Sequence, residues 1–121
     1  MSLDVYLYQT SETLCPNCSH CVATKREEVF TANVTHNLSK MAGEAGLYEV
    51  LWRPDEHSIT HARQLIAPLT LGLALLRADA PRMMGFNPEN GWGTYGGLVR
   101  FVERYLAACE EFPDADVGVS R

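Results

Sequence analysis

Three cysteines and a histidine lie close together near the start of the chain. Two of the cysteines enclose a Pro-Asn pair, and two thiolates at that spacing can bind one tetrahedral metal ion from a tight turn. The possible donors are Cys15, Cys18, His20 and Cys21. Structural zinc sites take four ligands of these types, so the spacing predicts a structural zinc knuckle. Reduced, exposed thiols at the tip of a hairpin are the alternative.

A polar cluster interrupts an apolar stretch where a strand pattern changes to a helix pattern. It consists of Asn33, Thr35, His36 and Asn37. In one interpretation Thr35 caps the helix, because its hydroxyl can accept a free backbone N–H. In the other, the first turn of the helix offers N–H groups to an anion, and the Asn and His side chains add hydrogen bonds. Asn33, His36 and Asn37 are therefore candidate ligand-binding residues.

Two aromatic segments could supply the rest of such a site. Trp92 lies between two glycines, which allow the backbone to approach another group closely. Trp52 is followed directly by a guanidinium group. Aromatic rings stack on nucleobases and guanidinium groups bind phosphate. The further candidates are Trp52, Arg53, Asn90, Trp92 and Tyr95. We expect a site only if the loop of residues 90–93 folds over the helix that starts near Thr35; otherwise Trp92 anchors a long loop.

The common signatures of catalysis and of nucleotide-binding loops are not present in this sequence. It contains no HExxH, no nucleophile elbow, no Walker loop and no GxGxxG after a strand. We therefore predict no catalytic residues and favour a binding protein over an enzyme.

The elements that position these residues begin with two strands. Residues 3–8 alternate apolar and polar side chains, which is typical of a strand with one buried face. Residues 11–21 are polar and contain Pro16 and Asn17, so they are predicted to form a loop. Residues 22–34 form the second strand of a hairpin with an elaborate tip.

Three helices follow, each with apolar residues at 3.6-residue spacing. The predicted ranges are 35–52 with a closure at Gly46, 58–76 with a cap at Ser58 or Thr60 and a kink or break at Pro68, and 94–109. Residues 80–97 are predicted to form a long loop up to the start of the third helix. The tail of residues 116–121 alternates and can pair as an edge strand. These elements predict one α+β domain spanning residues 1–121, with an N-terminal hairpin packed on three helices.

Composition and charge exclude several classes of protein. The chain has 121 residues and a formal net charge of −5. A general nucleic-acid binder needs a basic surface, and so does a protein that docks on anionic lipid. The negative net charge therefore argues against both classes. The sequence contains no run of 18 apolar residues, which is the length that a membrane-spanning helix needs. The first residues carry no basic, apolar leader, so we predict a cytoplasmic location.

Several short motifs are specific when taken together. They are Leu3-Asp-Val-Tyr-Leu7, Asn33-Val-Thr-His-Asn-Leu38 with Met41-Ala42, Leu51-Trp-Arg-Pro54, Asn87-Pro-Glu-Asn-Gly-Trp-Gly93 and Phe112-Pro-Asp-Ala-Asp-Val117. As a set, spread over nearly the whole chain, they resemble a family of small bacteriophage, prophage and bacterial proteins whose activity is not established. The resemblance implies a phage or bacterial setting, in the cytoplasm of a bacterial host cell, and no mechanism.

Three functions are compatible with these observations. The first is a non-enzymatic phage-type accessory protein that binds, and so sequesters, a small phosphate-bearing or nucleotide-like ligand. The phage setting implies that such binding could counteract host defence. The second is an inhibitor or adaptor that binds a host protein and carries the structural zinc knuckle. The third is a zinc-dependent hydrolase. The sequence leaves the oligomeric state open.

Overall fold

The computed structural model describes residues 2–15, 18–91 and 93–121, with all of their side chains except those of residues 12–24. In this part of the chain a three-stranded antiparallel sheet packs against five α-helices, which confirms the predicted α+β class. The strands are β1 (Ser2–Cys15), β2 (Cys18–Thr35) and β3 (Asp116–Ser120). The α-helices are α1 (Ser39–Glu44), α2 (Tyr48–Trp52), α3 (Arg63–Ala78), α4 (Ala80–Met84) and α5 (Tyr95–Glu111). Short 3-10 helices form at His36–Leu38 and Pro54–His57.

The hairpin of β1 and β2 is longer than the sequence predicts. Pairing continues to Cys15 opposite Cys18, so the prediction of a loop over residues 11–21 is wrong for most of that segment. The pairing of β3 with β1 stops at Tyr8. Beyond that point the described side chains are exposed. This outer part of the hairpin is a two-stranded ribbon in solvent, so it needs no alternation of apolar and polar residues. Its polar sequence is therefore hard to distinguish from that of a loop.

β1 is the central strand of the sheet, between β2 and β3. Its alternate residues Leu3, Val5 and Leu7 are completely buried against the helices. Val119 pairs with Val5 and Val117 pairs with Leu7, so β3 directs its valines to the same face. The predicted edge strand at the tail is thereby confirmed.

The first predicted helix is present but divided. Thr35 caps its first turn as predicted, because its Oγ1 accepts the Asn37 N–H at 3.3 Å. The chain then turns at Gly46, whose φ of +73° favours glycine. The Leu47 N–H donates to the Ala42 carbonyl at 2.8 Å, which closes α1 before α2 begins.

The second predicted helix, α3, begins later than expected and is not broken. It runs through Pro68 from Arg63. The predicted cap at Ser58 or Thr60 is wrong, because neither hydroxyl caps the helix. Instead Gln64 Oε1 accepts the backbone N–H groups of Thr60 at 2.8 Å and His61 at 2.9 Å.

The third predicted helix, α5, begins as expected. Thr94 caps it, with Oγ1 accepting the Gly97 N–H at 3.0 Å. The preceding segment, residues 80–97, was predicted to be a loop and contains α4 at its start. Among the described residues, no helix has the length and apolarity to span a bilayer.

Tyr105 on α5 carries a polar group in the centre of the core. It is completely buried, and its ring packs against Phe30 and Phe101 at centroid distances of 5.9 and 6.0 Å. No described residue accepts a hydrogen bond from its hydroxyl. Burial raises the pKa of Tyr105, so the phenol stays neutral. A buried hydroxyl without a partner costs stability.

We expect Tyr105→Phe to stabilise the protein by about 1 kcal/mol, because the change removes only this unpaired hydroxyl. The midpoint of thermal unfolding should rise by a few degrees. Tyr95→Phe is the matched control, since the Tyr95 hydroxyl donates to the Leu76 carbonyl at 2.8 Å and its loss should lower the midpoint. Destabilisation of similar size in both variants would show that the Tyr105 hydroxyl has a partner.

Candidate functional site

The topology of the sheet brings the ends of two strands together. β2 and β3 both run antiparallel to β1, and both end beside its first residues. The residue that follows β2 is His36, and the residue that follows β3 is Arg121. Two side chains that are far apart in sequence therefore start from the same end of the sheet.

α2 adds a third side chain at this place through a hydrogen bond. Trp52 Nε1 donates to His36 Nδ1 at 2.8 Å, and the two rings are 6.2 Å apart. An indole N–H can only donate, so Nδ1 of His36 must be the acceptor and carries no proton. The proton of the neutral imidazole is then on Nε2, which is left as a hydrogen-bond donor.

These residues line a cavity of about 330 Å³, which we call the His36 cavity. It is lined by His36, Ser39, Tyr48, Trp52, Arg53 and Arg121. The Tyr48 and Trp52 rings stack at a centroid distance of 5.5 Å with 21° between their planes. They are four residues apart on α2, which places them on the same side of the helix. Trp52 is only 3% exposed, so its position in the wall is fixed by packing.

Arg121 is held at one side of the cavity by two acceptors. Its Nη1 donates to the Trp52 carbonyl at 2.9 Å and to Asp55 Oδ1 at 2.8 Å. The hydrogen bond with Arg121 lowers the pKa of Asp55 and raises the pKa of Arg121, so both groups remain charged. The guanidinium group is therefore ordered beside the cavity before any ligand binds.

Arg53 supplies a second guanidinium group. The hydrogen bond between Arg53 and the Tyr48 side chain is the largest of the effects that raise the pKa of Arg53. Its Nε also lies 3.4 Å from Glu56 Oε2, in an exposed ion pair. Such a pair is weak, so a ligand could compete for the guanidinium at little cost.

A second cavity adjoins the His36 cavity. Its volume is about 510 Å³, and it lies between β3 and the 3-10 helix Pro54–His57. Arg121 lines both cavities. We call this second space the edge cavity, because β3 is an edge strand of the sheet.

The structure brings together only some of the predicted ligand-binding residues. His36, Trp52 and Arg53 share a cavity. Asn33 lies elsewhere, because its amide donates to Ser2 Oγ at 2.8 Å and Asp4 Oδ1 at 2.6 Å. The Asn37 side chain is exposed next to the Thr35 cap.

The loop of residues 90–93 does approach the start of the first helix. Gly93 has a φ of +102°, and a Cβ built on it would lie 2.6 Å from Thr35 Cγ2. The backbone of Gly93 therefore lies close to the Thr35 and Leu38 side chains at the start of the first helix. Trp92 lies outside the described residues, and Asn90 is exposed. Tyr95 turns away toward α3, where its hydroxyl donates to the Leu76 carbonyl.

The predicted metal ligands Cys15, Cys18, His20 and Cys21 have side chains outside the described part of the structure. The backbone register pairs Cys15 with Cys18 directly. Among the described side chains, no group of three or more His, Cys, Asp or Glu residues could hold a metal ion. Cys109 is buried in α5, and burial raises its pKa to about 12, so it is a neutral thiol of the core.

Three residues of the His36 cavity were missed in the sequence. Tyr48 could have been found, because it precedes Trp52 by one helical turn. Ser39 gave no signal. Arg121 follows the predicted edge strand, but its position depends on which strand β3 pairs with. The alternation of residues in the tail does not identify that strand.

The chemistry available in the His36 cavity is that of anion and ring binding. Two guanidinium groups and the Nε2–H of His36 can donate to negatively charged oxygens. The stacked Tyr48 and Trp52 rings offer an aromatic wall. No protein-family model, curated protein or solved structure matches the chain, so its functional interpretation rests on this geometry.

Proposed function

We propose that the protein binds, without turnover, a small phosphate-bearing and nucleotide-like molecule in the His36 cavity. The observation that carries this proposal is the convergence of Arg53, Arg121 and His36 beside two stacked aromatic rings. Guanidinium groups match the planar, bidentate geometry of phosphate oxygens better than other cations do. The cavity volume of about 330 Å³ falls within the usual range for small-molecule sites.

The carboxylates near the cavity are compatible with this function. Asp55 and Glu56 pair with Arg121 and Arg53 at the side of the cavity. The Asp55 pair orders the Arg121 guanidinium group, which lowers the entropy cost of binding, whereas the Glu56 pair is weak. Each guanidinium has five N–H donors, so a ligand can bind without displacing the carboxylate.

The resemblance to phage proteins adds a biological role to the proposal. In the cytoplasm of a bacterial host, a protein that holds a nucleotide signal without degrading it would lower the free concentration of that signal. We propose that the chain counteracts a host defence response in this way. Non-enzymatic sequestration needs one molecule of protein for each molecule of ligand.

Calorimetry and thermal unfolding test the proposal with inorganic phosphate, nucleoside monophosphates, cyclic nucleotides and ADP-ribose. A true ligand at a hundredfold excess over its Kd should stabilise the protein by about 2.7 kcal/mol. Arg53→Gln should weaken that binding about tenfold, because one charge-assisted contact is lost. Arg63→Gln is the matched control, since Arg63 pairs with Asp114 away from the cavity and is 60% exposed. Absence of binding by every compound would refute the proposal.

The Trp52–His36 hydrogen bond gives a separate prediction. Trp52→Phe keeps an aromatic ring but removes the donor to His36 Nδ1, and it should cost about 2 kcal/mol or more of stability, because the smaller ring also leaves a space in the core. The imidazole should then sample both neutral tautomers, which nitrogen chemical shifts of a labelled histidine report. Retention of a single Nε2–H tautomer in this variant would mean that another group orients His36.

A second candidate function is supported by the direct pairing of Cys15 with Cys18 in the hairpin. Directly opposed residues in an antiparallel pair have Cα atoms about 4.5–5.5 Å apart, which is close enough for both thiolates to share one ion. We propose as the alternative that the hairpin carries a structural zinc ion and docks on a host protein.

Zinc measured by elemental analysis tests this alternative. We expect one equivalent in the reduced protein, its loss in Cys15→Ser, and a lower unfolding midpoint in that variant because the ribbon loses its cross-link. Cys109→Ala should keep the zinc, although it opens a small space in the core. A Cys15→Ser variant with unchanged zinc content and midpoint would exclude the knuckle.

A further inference from the structure

The outer edge of β3 is covered along only half of its length. The Val117 N–H donates to the Thr60 carbonyl at 2.9 Å, and the Ala62 N–H donates to the Ala115 carbonyl at 2.9 Å. These bonds belong to the bridge between His61 and Asp116. Residues 115 and 117 therefore direct their polar backbone groups away from β1, toward the segment 60–62.

Alternation along the strand extends this pattern to Val119. In an antiparallel pair, every second residue directs both its N–H and its carbonyl away from a given neighbour. Val119 is two residues beyond Val117, so its N–H and carbonyl also face outward. None of the described residues forms a hydrogen bond with these two groups. They face the edge cavity, which Val119 itself lines.

The edge cavity combines this backbone pair with apolar side chains and with the Asp55–Arg121 ion pair, which also lines it. Pro54 and Ile59 line it from the side opposite β3, and Val117 lines it from the strand. Its volume is about 510 Å³. A donor and an acceptor on one residue, beside apolar side chains, match a flat ring that carries an acceptor and a donor on adjacent atoms.

Nucleobases have this pattern on their Watson–Crick edges, which proteins read by hydrogen bonding while apolar side chains contact the ring. An extended peptide would fit less well. Strand addition relies on a series of backbone hydrogen bonds, and here the segment 60–62 already occupies the neighbouring part of the edge. One free backbone pair is enough for a base and too little for a strand.

We propose that the edge cavity binds the base of a nucleotide whose phosphate lies in the His36 cavity. This inference rests on the proposed function and adds the position and chemistry of the base. Arg121 links the two cavities, because its guanidinium lies between Asp55 and the Trp52 carbonyl and lines both spaces. The ribose of the ligand would lie beside Arg121.

Calorimetry on the full chain separates this inference from the function on which it rests. The probes are AMP, GMP, CMP and UMP, with ribose 5-phosphate as the ligand that lacks a base. We expect at least one nucleotide to bind about tenfold or more tighter than ribose 5-phosphate, as two backbone hydrogen bonds and ring burial would give. Equal affinities would refute the base site and leave the phosphate site intact. Absence of all binding would refute both.

Val119→Pro tests the contact itself. Proline removes the outward N–H, and it is tolerated on an edge strand where that N–H does not pair with the neighbouring strand. Nucleotide affinity should fall about fivefold while ribose 5-phosphate binding is unchanged. Val119→Ala, which shortens the side chain but keeps the N–H, should bind the nucleotide within about twofold of the unmodified protein. Equal losses in both variants would overturn the assignment.

Amide chemical shifts of the unmodified protein provide a test that needs no variant. The Val119 N–H resonance should move when the nucleotide is added and should stay in place with ribose 5-phosphate. A nucleotide that binds without moving this resonance would contradict the proposed contact.

Discussion

The antiparallel pairing of β1 with strands on both sides is the constraint on which the site depends. Because β2 and β3 both oppose β1, their final residues lie together beside its start. The alternating apolar residues Leu3, Val5 and Leu7 keep β1 in this central position by packing completely against the helices. A slip of one residue in either pairing would turn the apolar face of a strand toward solvent. Hydrophobic burial thus fixes the register, and the register places His36 and Arg121 at one end of the sheet.

Around this meeting point, the hydrogen bonds are arranged so that the polar groups are ordered in advance. Trp52 binds both residues: its indole donates to His36, and its carbonyl accepts from Arg121. The same residue packs in the core with only 3% of its surface exposed. Because packing fixes the position of Trp52, its hydrogen bonds also fix the His36 imidazole and the Arg121 guanidinium group beside the His36 cavity. Preorganisation of this kind favours recognition of one ligand geometry over many.

The balance of charge at the site also has a physical consequence. The chain is acidic overall, with a net charge of −5, yet the His36 cavity is lined by two guanidinium groups. Their carboxylate partners lie beside the cavity and are largely solvated, since Asp55 and Glu56 are 59% and 56% exposed. The paired guanidinium groups can still donate to a small anion, whereas the acidic protein as a whole does not attract nucleic acid, whose binding depends on many phosphate contacts at once.

Local patterns in the sequence were enough to predict the fold class, the edge strand, the cap at Thr35 and the start of α5 near Thr94. Each depends on residues close together in the chain, either through alternation in a strand or through a hydroxyl near a free N–H. The same patterns singled out His36, Trp52 and Arg53. They did not reveal the long ribbon, because strands exposed on both faces lose their alternation. They also did not reveal α4, which is a single short helix in a segment rich in proline and glycine.

Only the tertiary structure decided which of the candidate residues meet. Asn33, with its amide bound to Ser2 and Asp4, and Tyr95, bound to the Leu76 carbonyl, belong to other parts of the molecule. Arg121 joined His36 through the pairing of β3 with β1, across most of the length of the chain. Three of the six residues of the His36 cavity, which are His36, Trp52 and Arg53, were therefore visible in the sequence. Their assembly was not, because the pairing of distant strands is set by the burial of a shared core and not by any local pattern.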